Sequence, residues 1–330
     1  MEKAKINCNT MRASVNTVYG SPDVLQLRNI QTPIPKDNEV LINIHATTVN
    51  RTDSGMLSAE YFAVRLFMGL FRPKTQVLGS EFAGKIVAVG KDVSLFKVGD
   101  AVFGLSAAVF GAHADYLCMA ENSSIALKPT NIPYSEAAAI CEGAYLALNY
   151  YKAANLQRGH KILINGATGS IGSAGVQLAK YFGADITAVG NTKNLDLVKS
   201  LGANKVIDYT KEDITTLDDR FDFIFDAVGK SSFFKSKHLL KQGGIYFSTE
   251  LGFAYANPIL ALLGLKFEGK KVIFPIPSIH KEDVLFFKKL IEEGHYRAVI
   301  DRTYRFDDIV EAYKYVIKGQ KTGNVVIEMD

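Results

Sequence analysis

The sequence predicts an α/β protein in which a doubly wound parallel sheet is joined to an irregular β-barrel. Three observations predict it. Residues 161–190 read as strand, glycine turn, helix and strand in succession. Residues 11 to about 135 read mainly as short strands punctuated by turn signals. Beyond residue 200, short apolar runs alternate with helical stretches, the alternation that builds a parallel sheet.

The elements follow in order. Residues 1–10 read as an extension, because the strand pattern begins only near Met11. Strands are expected at Val40–Ala46, Gly84–Val89 and Val98–Phe103, with turns at Tyr19-Gly20-Ser21-Pro22, Pro33-Ile34-Pro35, Gly90-Lys91-Asp92 and Val98-Gly99-Asp100. Short strands at this spacing suggest an irregular barrel. Between Ser54 and Pro73 lie Tyr61, Phe62, Leu66, Phe67, Met68, Leu70 and Phe71, without a clean period. That stretch is either a core helix or the lining of an apolar cleft. Ser135–Ala138 opens a helix expected to break at Gly143 and to end near Asn155. Strands recur at Lys205–Ile207, Phe221–Phe225 and Ile245–Ser248. Helices are expected at Glu282–Gly294 and Phe306–Gly319, and a last strand at Asn324–Glu328. The parallel-sheet domain, 136–272, is therefore inserted into a second domain formed by 11–135 and 273–330.

A chain of 330 residues, 48% apolar and 22% charged, has the composition of an ordinary globular protein of one or two domains. Net charge is +4 and no Lys/Arg block is dense, so nucleic acid is not an expected partner. Cys8, Cys118 and Cys141 are far apart and odd in number, which argues against a disulfide framework or a four-cysteine zinc lobe. The first ten residues lack an apolar signal-peptide core. The longest apolar stretch, Leu251–Leu265, contains Asn257 and Pro258 and is too short to cross a bilayer. It reads as a buried segment or a subunit interface. A reducing, cytoplasmic setting is expected, with no membrane partner.

The chemistry centres on the glycine turn. Ile162-Leu163-Ile164 leads into Gly166, Gly169 and Gly172, with Ala167, Thr168, Ser170 and Ile171 between them. A helical pattern then runs through Val176, Leu178, Ala179 and Phe182 to Gly183, and a second apolar run follows at Ile186–Val189. The bare N–H groups at such a helix start can hold a pyrophosphate. A Cβ at Gly169 or Gly172 would keep the phosphate, or the neighbouring backbone, too far away. The spacing is G-x-x-G-x-x-G. Alone it also fits a tight turn; between two strands and opening a helix it marks a dinucleotide site. At the end of the second strand an NAD enzyme carries Asp or Glu, but no acid precedes Asp196 here. Asn191, Thr192 and Lys193 offer amide, hydroxyl and cation, which suit a 2′-phosphate. Tyr209 adds a ring or hydroxyl near the adenosine. The cofactor reads as NADPH; the alternative is that Lys193 is a solvated lysine.

Several motifs coincide with this unit. They are Ala46-x-x-x-Asn50-x-x-Asp53, Leu78-Gly79-Ser80-Glu81-Phe82-Ala83-Gly84, Val98-Gly99-Asp100-x-Val102-Phe103-Gly104, Lys199-Ser200-Leu201-Gly202-Ala203 and Phe225-Asp226-Ala227-Val228-Gly229. In this order they resemble the medium-chain dehydrogenase/reductase superfamily over residues 11–330, and its zinc-free branch of quinone oxidoreductases (zeta-crystallin-like) and enone or alkenal reductases. The resemblance implies a GroES-like catalytic domain, a Rossmann nucleotide domain and a homodimer or homotetramer. It implies NADPH-dependent hydride transfer to a quinone or to the conjugated C=C of an α,β-unsaturated carbonyl.

The superfamily's catalytic zinc takes a Cys, the His of a Gly-His-Glu motif, and a further Cys or acid. Here Asn50 lies in the first region, Ser80 occupies the His position, and Cys141 and Glu142 lie near the third. Amide and hydroxyl are poor zinc ligands, so no metal site is expected. Asn50 matches the family's asparagine near the nicotinamide ribose and substrate, and Tyr61 a cleft tyrosine that orients substrate or relays a proton; plain packing is the alternative for Tyr61. Asp53 reads as structural, and the lone His113 as surface or structural. Cofactor contacts carried over are Val228, Gly229, Ser248, Thr249, Phe274 and Asn324. Many enone reductases have Lys or Tyr just after the Asn-x-x-Asp motif, where this chain has Ser54 and Gly55, so the acceptor stays open. The competing functions are a non-catalytic NADPH-binding regulator and a zinc-type alcohol dehydrogenase.

Overall fold

Alternating apolar and polar residues build the first strands. A hairpin of β1 (Thr10–Val15) and β2 (Gln26–Gln31) buries Met11, Ala13 and Val15 on one face. The computed structural model describes residues 9–60, 62–106 and 109–329. It divides into two units, residues 1–141 with 279–330, and residues 142–278; the composition pattern had put the inserted stretch at 136–272.

In the first unit, β3 (Glu39–Val49) is the central strand. It is followed by α1 (Arg51–Ser58), α2 (Phe62–Met68), β4 (Glu81–Val89), β5 (Ala101–Leu105), β6 (Tyr116–Ala120), β7 (Ile125–Leu127) and α3 (Tyr134–Ala138). Strand β3 pairs antiparallel with β4 on one side and with β6 on the other, and β5 and β7 extend the sheet beyond β4. The barrel interior gathers Val40, Ile42, Ile44, Phe82, Ile86 and Val102. The expected Val98-Gly99-Asp100 turn precedes β5, which begins at Ala101 rather than at Val98. The aromatic stretch at 54–73 is helical in two pieces. Met68 packs on the core, whereas Leu66, Leu70 and Phe71 are exposed.

The second unit opens with α4 (Cys141–Ala154). The helix expected from Ser135 to Asn155 breaks at Ala139–Ile140, before Gly143. Gly143 lies inside α4, where a Cβ would sit 2.7 Å from the Ser170 carbonyl oxygen. The chain continues through β8 (Lys161–Asn165), α5 (Ser170–Tyr181), β9 (Asp185–Gly190), α6 (Leu195–Leu201), β10 (Lys205–Asp208), β11 (Phe221–Asp226), α7 (Phe233–Ser236), β12 (Leu240–Ser248), α8 (Ala256–Leu262), β13 (Lys266–Phe267) and β14 (Lys270–Ile273). Among the described residues these strands form one sheet in the order β10-β9-β8-β11-β12-β14-β13, parallel except for the last pair. Near-continuous apolar runs such as Ile162-Leu163-Ile164, all buried, are what a sheet covered on both faces requires.

The chain then returns to the first unit with α9 (Lys281–Glu292), β15 (Ile300–Arg305), α10 (Ile309–Ile317) and β16 (Asn324–Glu328). Strand β16 pairs antiparallel with β3 and parallel with β15, so the tail completes the sheet that residues 39–127 began. Leu251–Leu265 is not a buried segment: Phe253 is 95% and Leu262 88% exposed, while Leu260 packs against the sheet core. No helix among the described residues is long and apolar enough to cross a membrane.

Candidate functional site

The parallel strands end level with one another. Register pairs Asp208 with Gly190, Val189 with Asn165, Asn165 with Asp226, Asp226 with Ser248, and Phe247 with Ile273. Gly166, Asn191, Tyr209, Val228, Thr249 and Phe274 therefore all lie just past the carboxyl ends of neighbouring strands. From β8 the chain proceeds to β9 and β10 on one side and then to β11 and β12 on the other. That reversal between β8 and β11 is the place where open α/β sheets form a ligand crevice.

The glycine turn sits at this point, and its glycines differ. Gly166 has φ +77°, and a Cβ there would lie 2.6 Å from Val228 Cβ. The turns after β8 and β11 are thus in van der Waals proximity. Gly169 is the N-cap of α5, extended, with no side-chain cap; a Cβ there would meet only the Gly166 carbonyl oxygen, at 3.7 Å. At Gly172 a Cβ would meet that same oxygen at 2.1 Å. Gly172 is needed for helix–turn packing, whereas the space beside Gly169 is open. Helix α5 runs twelve residues, and its N-cap, Gly169, offers no side-chain acceptor to the first-turn N–H groups of Ser170, Ile171 and Gly172. Thr168 is half-buried beside them, its methyl 2.9 Å from a Cβ built on Gly190. This cradle fits a pyrophosphate.

Asp226, whose role had no sequence signal beyond its motif, organises the next turn. One carboxylate oxygen accepts from Asn165 Nδ2 (3.1 Å) and Val228 N (3.3 Å), the other from Ser231 N (2.8 Å) and the Tyr246 hydroxyl (3.2 Å). The Tyr246 hydroxyl is pushed well up by burial, with the Asp226 charge adding to it. Gly229 follows at φ +67°, against Glu250. The Ser248 hydroxyl accepts from Glu250 N (3.2 Å), and its carbonyl accepts from the buried Tyr150 hydroxyl (2.6 Å). The neighbouring Tyr151 donates to the Gly175 carbonyl of α5 (2.9 Å). Two tyrosines of α4 thus pin the helix and the strand end that frame the site.

In the turns after β9 and β10, Asn191 Oδ1 accepts from Asn194 Nδ2 (2.9 Å), Lys193 is exposed, and Tyr209 is 59% exposed with its N–H on the Gly190 carbonyl. The Thr192 hydroxyl donates to Asp208 (2.6 Å).

The acceptor-side candidates lie in the first unit. Asn50 caps α1: its Oδ1 accepts from Asp53 N (2.8 Å), and its N–H donates to Asp53 Oδ2 (3.1 Å). Such a reciprocal cap contributes about 1 kcal/mol. Asn50 Nδ2 donates to Ser80 Oγ at 3.0 Å, both residues being buried. Asp53 also accepts from Gly79 N (3.2 Å), so one carboxyl group ties the loops carrying Asn50 and Ser80. Burial pushes that carboxyl up to about 8, and the nearby Glu81 adds to the rise. Asn324 is buried, and its amide donates to the carbonyls of Ala139 and Val299, both at 3.1 Å; sequence reasoning had given it to the cofactor. Tyr61 lies outside the described residues.

His113 is fully buried rather than on the surface. Its Nε2 lies 2.9 Å from the Thr48 carbonyl, which can only accept, so Nε2 carries the hydrogen and Nδ1 accepts from the Tyr313 hydroxyl (3.2 Å). Burial pushes the imidazole down to about 4 from its ordinary 6.5. The unfolded chain therefore takes up this proton near 6.5 and the folded chain only near 4. The stabilising contribution is complete above about pH 6.5 and is lost as pH falls between those values, by about 3 kcal/mol. Between pH 7 and pH 4.5 the parent is expected to lose stability toward urea relative to His113→Gln, because the opposite trend from the raised Asp53 carboxyl is common to both proteins. An equal change in both would remove His113 as its source.

Among the described residues no three His, Cys, Asp or Glu side chains gather closely enough to hold a metal ion. Positions 50 and 80 carry an amide and a hydroxyl, hydrogen-bonded to each other, which are poor zinc ligands.

Residues 36–145 match the family described as alcohol dehydrogenase GroES-like domain, and residues 201–327 that described as zinc-binding dehydrogenase. The chain is 35% identical to a 2-methylene-furan-3-one reductase of Solanum lycopersicum, covering 96% of this chain and 79% of that protein. It is 32% identical to a chloroplastic NADPH-dependent alkenal/one oxidoreductase of Arabidopsis thaliana, with the same coverage. Its fold is similar to a quinone oxidoreductase from Coxiella burnetii, with a TM-score of 0.87 at 26% identity over 97% of this chain and 100% of the other. The chain belongs to the medium-chain dehydrogenase/reductase superfamily, in its quinone oxidoreductase and enone reductase branch. It is an oxidoreductase of that family.

Proposed function

We propose that this protein is an NADPH-dependent, zinc-independent reductase of quinones or of the conjugated C=C of α,β-unsaturated carbonyls. The observation that carries the reading is the open N-terminus of α5, uncapped and without a Cβ at Gly169, at the point where strand order reverses. The names of the relatives support it. NADPH, when bound, supplies the hydride.

The chain's own residues do the rest. The N–H groups of Ser170, Ile171 and Gly172 hold the pyrophosphate, with Gly166 and Thr168 shaping the turn. Asn191, Lys193 and Tyr209 meet the phosphorylated adenosine. Val228, Gly229, Ser248, Thr249 and Phe274 line the remainder of the same edge. On the acceptor side, negative charge develops on the carbonyl or quinone oxygen, and a fixed hydrogen-bond donor there lowers the barrier. Asn50 is assigned to orient cofactor and acceptor, and Tyr61 to orient the acceptor or relay a proton. Ser80 joins them: its oxygen accepts from Asn50 Nδ2, so its own hydrogen points elsewhere and can be donated. No step runs through a metal, because reduction of an activated double bond needs no Lewis acid at an alkoxide.

The test is NADPH oxidation with a panel of quinones, enones and alkenals, using protein treated with a strong chelator. Turnover with at least one acceptor, unchanged by chelation, is expected. No turnover on any acceptor, or turnover restored only by added zinc, would contradict the reading.

A further inference from the structure

We propose that Lys211 is a second cation for the 2′-phosphate of NADPH, kept beside the site by Asp208; this rests on the NADPH reading above. Strands β9 and β10 are neighbours, with Asp208 paired to Gly190. The turns that follow them carry Lys193 and Lys211. Asp208 joins these turns. Its Oδ2 accepts from Thr192 Oγ1 (2.6 Å), and its Oδ1 from Thr210 N (3.0 Å) and Thr210 Oγ1 (2.7 Å). Lys211 Nζ lies 3.7 Å from the same Oδ2 that Thr192 holds. Lys211 and Thr192 therefore share one carboxylate oxygen, and Lys193 is next in the chain.

This arrangement changes the reading of Thr192. A hydroxyl has one hydrogen, and that of Thr192 goes to Asp208. Toward an ionised phosphate, Thr192 then presents only lone pairs, which gain nothing. The carboxylate of Asp208 is itself an anion at the rim, so Lys193 alone leaves the rim without net positive charge. A second cation restores it, and Lys211 stands where it is needed.

The Lys211 side chain is 70% exposed, and an exposed ion pair at such a distance is weak. Asp208 keeps its three shorter bonds when Lys211 departs, so the ammonium can turn to an arriving phosphate without stranding the acid.

The test is calorimetric titration with 2′-AMP and 5′-AMP, with NADPH and NADH binding read by fluorescence, on the parent, Lys211→Ala and Lys193→Ala. Both variants change exposed side chains and are expected to fold. Lys211→Ala is expected to weaken 2′-AMP and NADPH about tenfold, leaving 5′-AMP and NADH within about twofold. If Lys193→Ala weakens 2′-AMP and Lys211→Ala does not, the assignment of Lys211 is overturned and the NADPH reading stands. If the parent binds NADH as tightly as NADPH and neither variant alters 2′-AMP, both are overturned.

Discussion

Gly169→Val is expected to fold like the parent and to bind neither NADPH nor NADH. The residue is extended, and its first side-chain carbon would meet only the Gly166 carbonyl oxygen, at 3.7 Å. Valine adopts that backbone without strain. The cost to stability is that of a poorer helix cap, at most about 1 kcal/mol. The cost to binding is larger, because the side chain fills the space through which a pyrophosphate reaches the N–H groups of Ser170 to Gly172. Losing two charge-assisted hydrogen bonds, at roughly 1.5–3 kcal/mol each, weakens affinity at least about a hundredfold. Fluorescence titration with both nucleotides checks this, beside thermal unfolding of each protein. Retained affinity at unchanged stability would mean that the turn is structural only.

Gly172→Ala should do the opposite kind of harm. Its Cβ would stand 2.1 Å from the Gly166 carbonyl oxygen and 2.7 Å from Ala167 Cα. Both are backbone atoms, so no side-chain rotation relieves the clash, and the helix start must move away from the turn. Overpacking of this kind costs about 3 kcal/mol. The urea midpoint is expected to fall accordingly in the parent-versus-variant comparison. An unchanged midpoint would show that α5 does not approach the turn so closely. The two glycines, three residues apart and identical in the motif, therefore separate: one gives room to a ligand and the other to the fold.

The glycine unit was legible because its signals are local. The apolar run at 162–164, the glycines and the stop at Gly183 predicted β8, α5 and β9 within a residue or two. The last strand, 324–328, was read to the residue. What escaped depends on partners distant in the chain. His113 is satisfied by Tyr313, and Asp226 by Asn165, Ser231 and Tyr246, and no spacing encodes such meetings. The break before α4 is set by the same principle, since nothing near Ala139 marks a stop. Of the two readings of Leu251–Leu265, burial within the chain fails, because its outward face is not covered there: Phe253 and Leu262 are exposed. Ala254 and Tyr255, both left-handed, have no residue type that would announce it. The bond from the Thr192 hydroxyl to Asp208 was not legible either, because Asp208 lies sixteen residues on.

The most direct measurement is a crystal structure of the protein grown with NADPH. The pyrophosphate is predicted on the N–H groups of residues 170–172 and the 2′-phosphate beside Lys193. A nucleotide bound anywhere else, or a zinc ion coordinated at residues 50 and 80, would contradict the account.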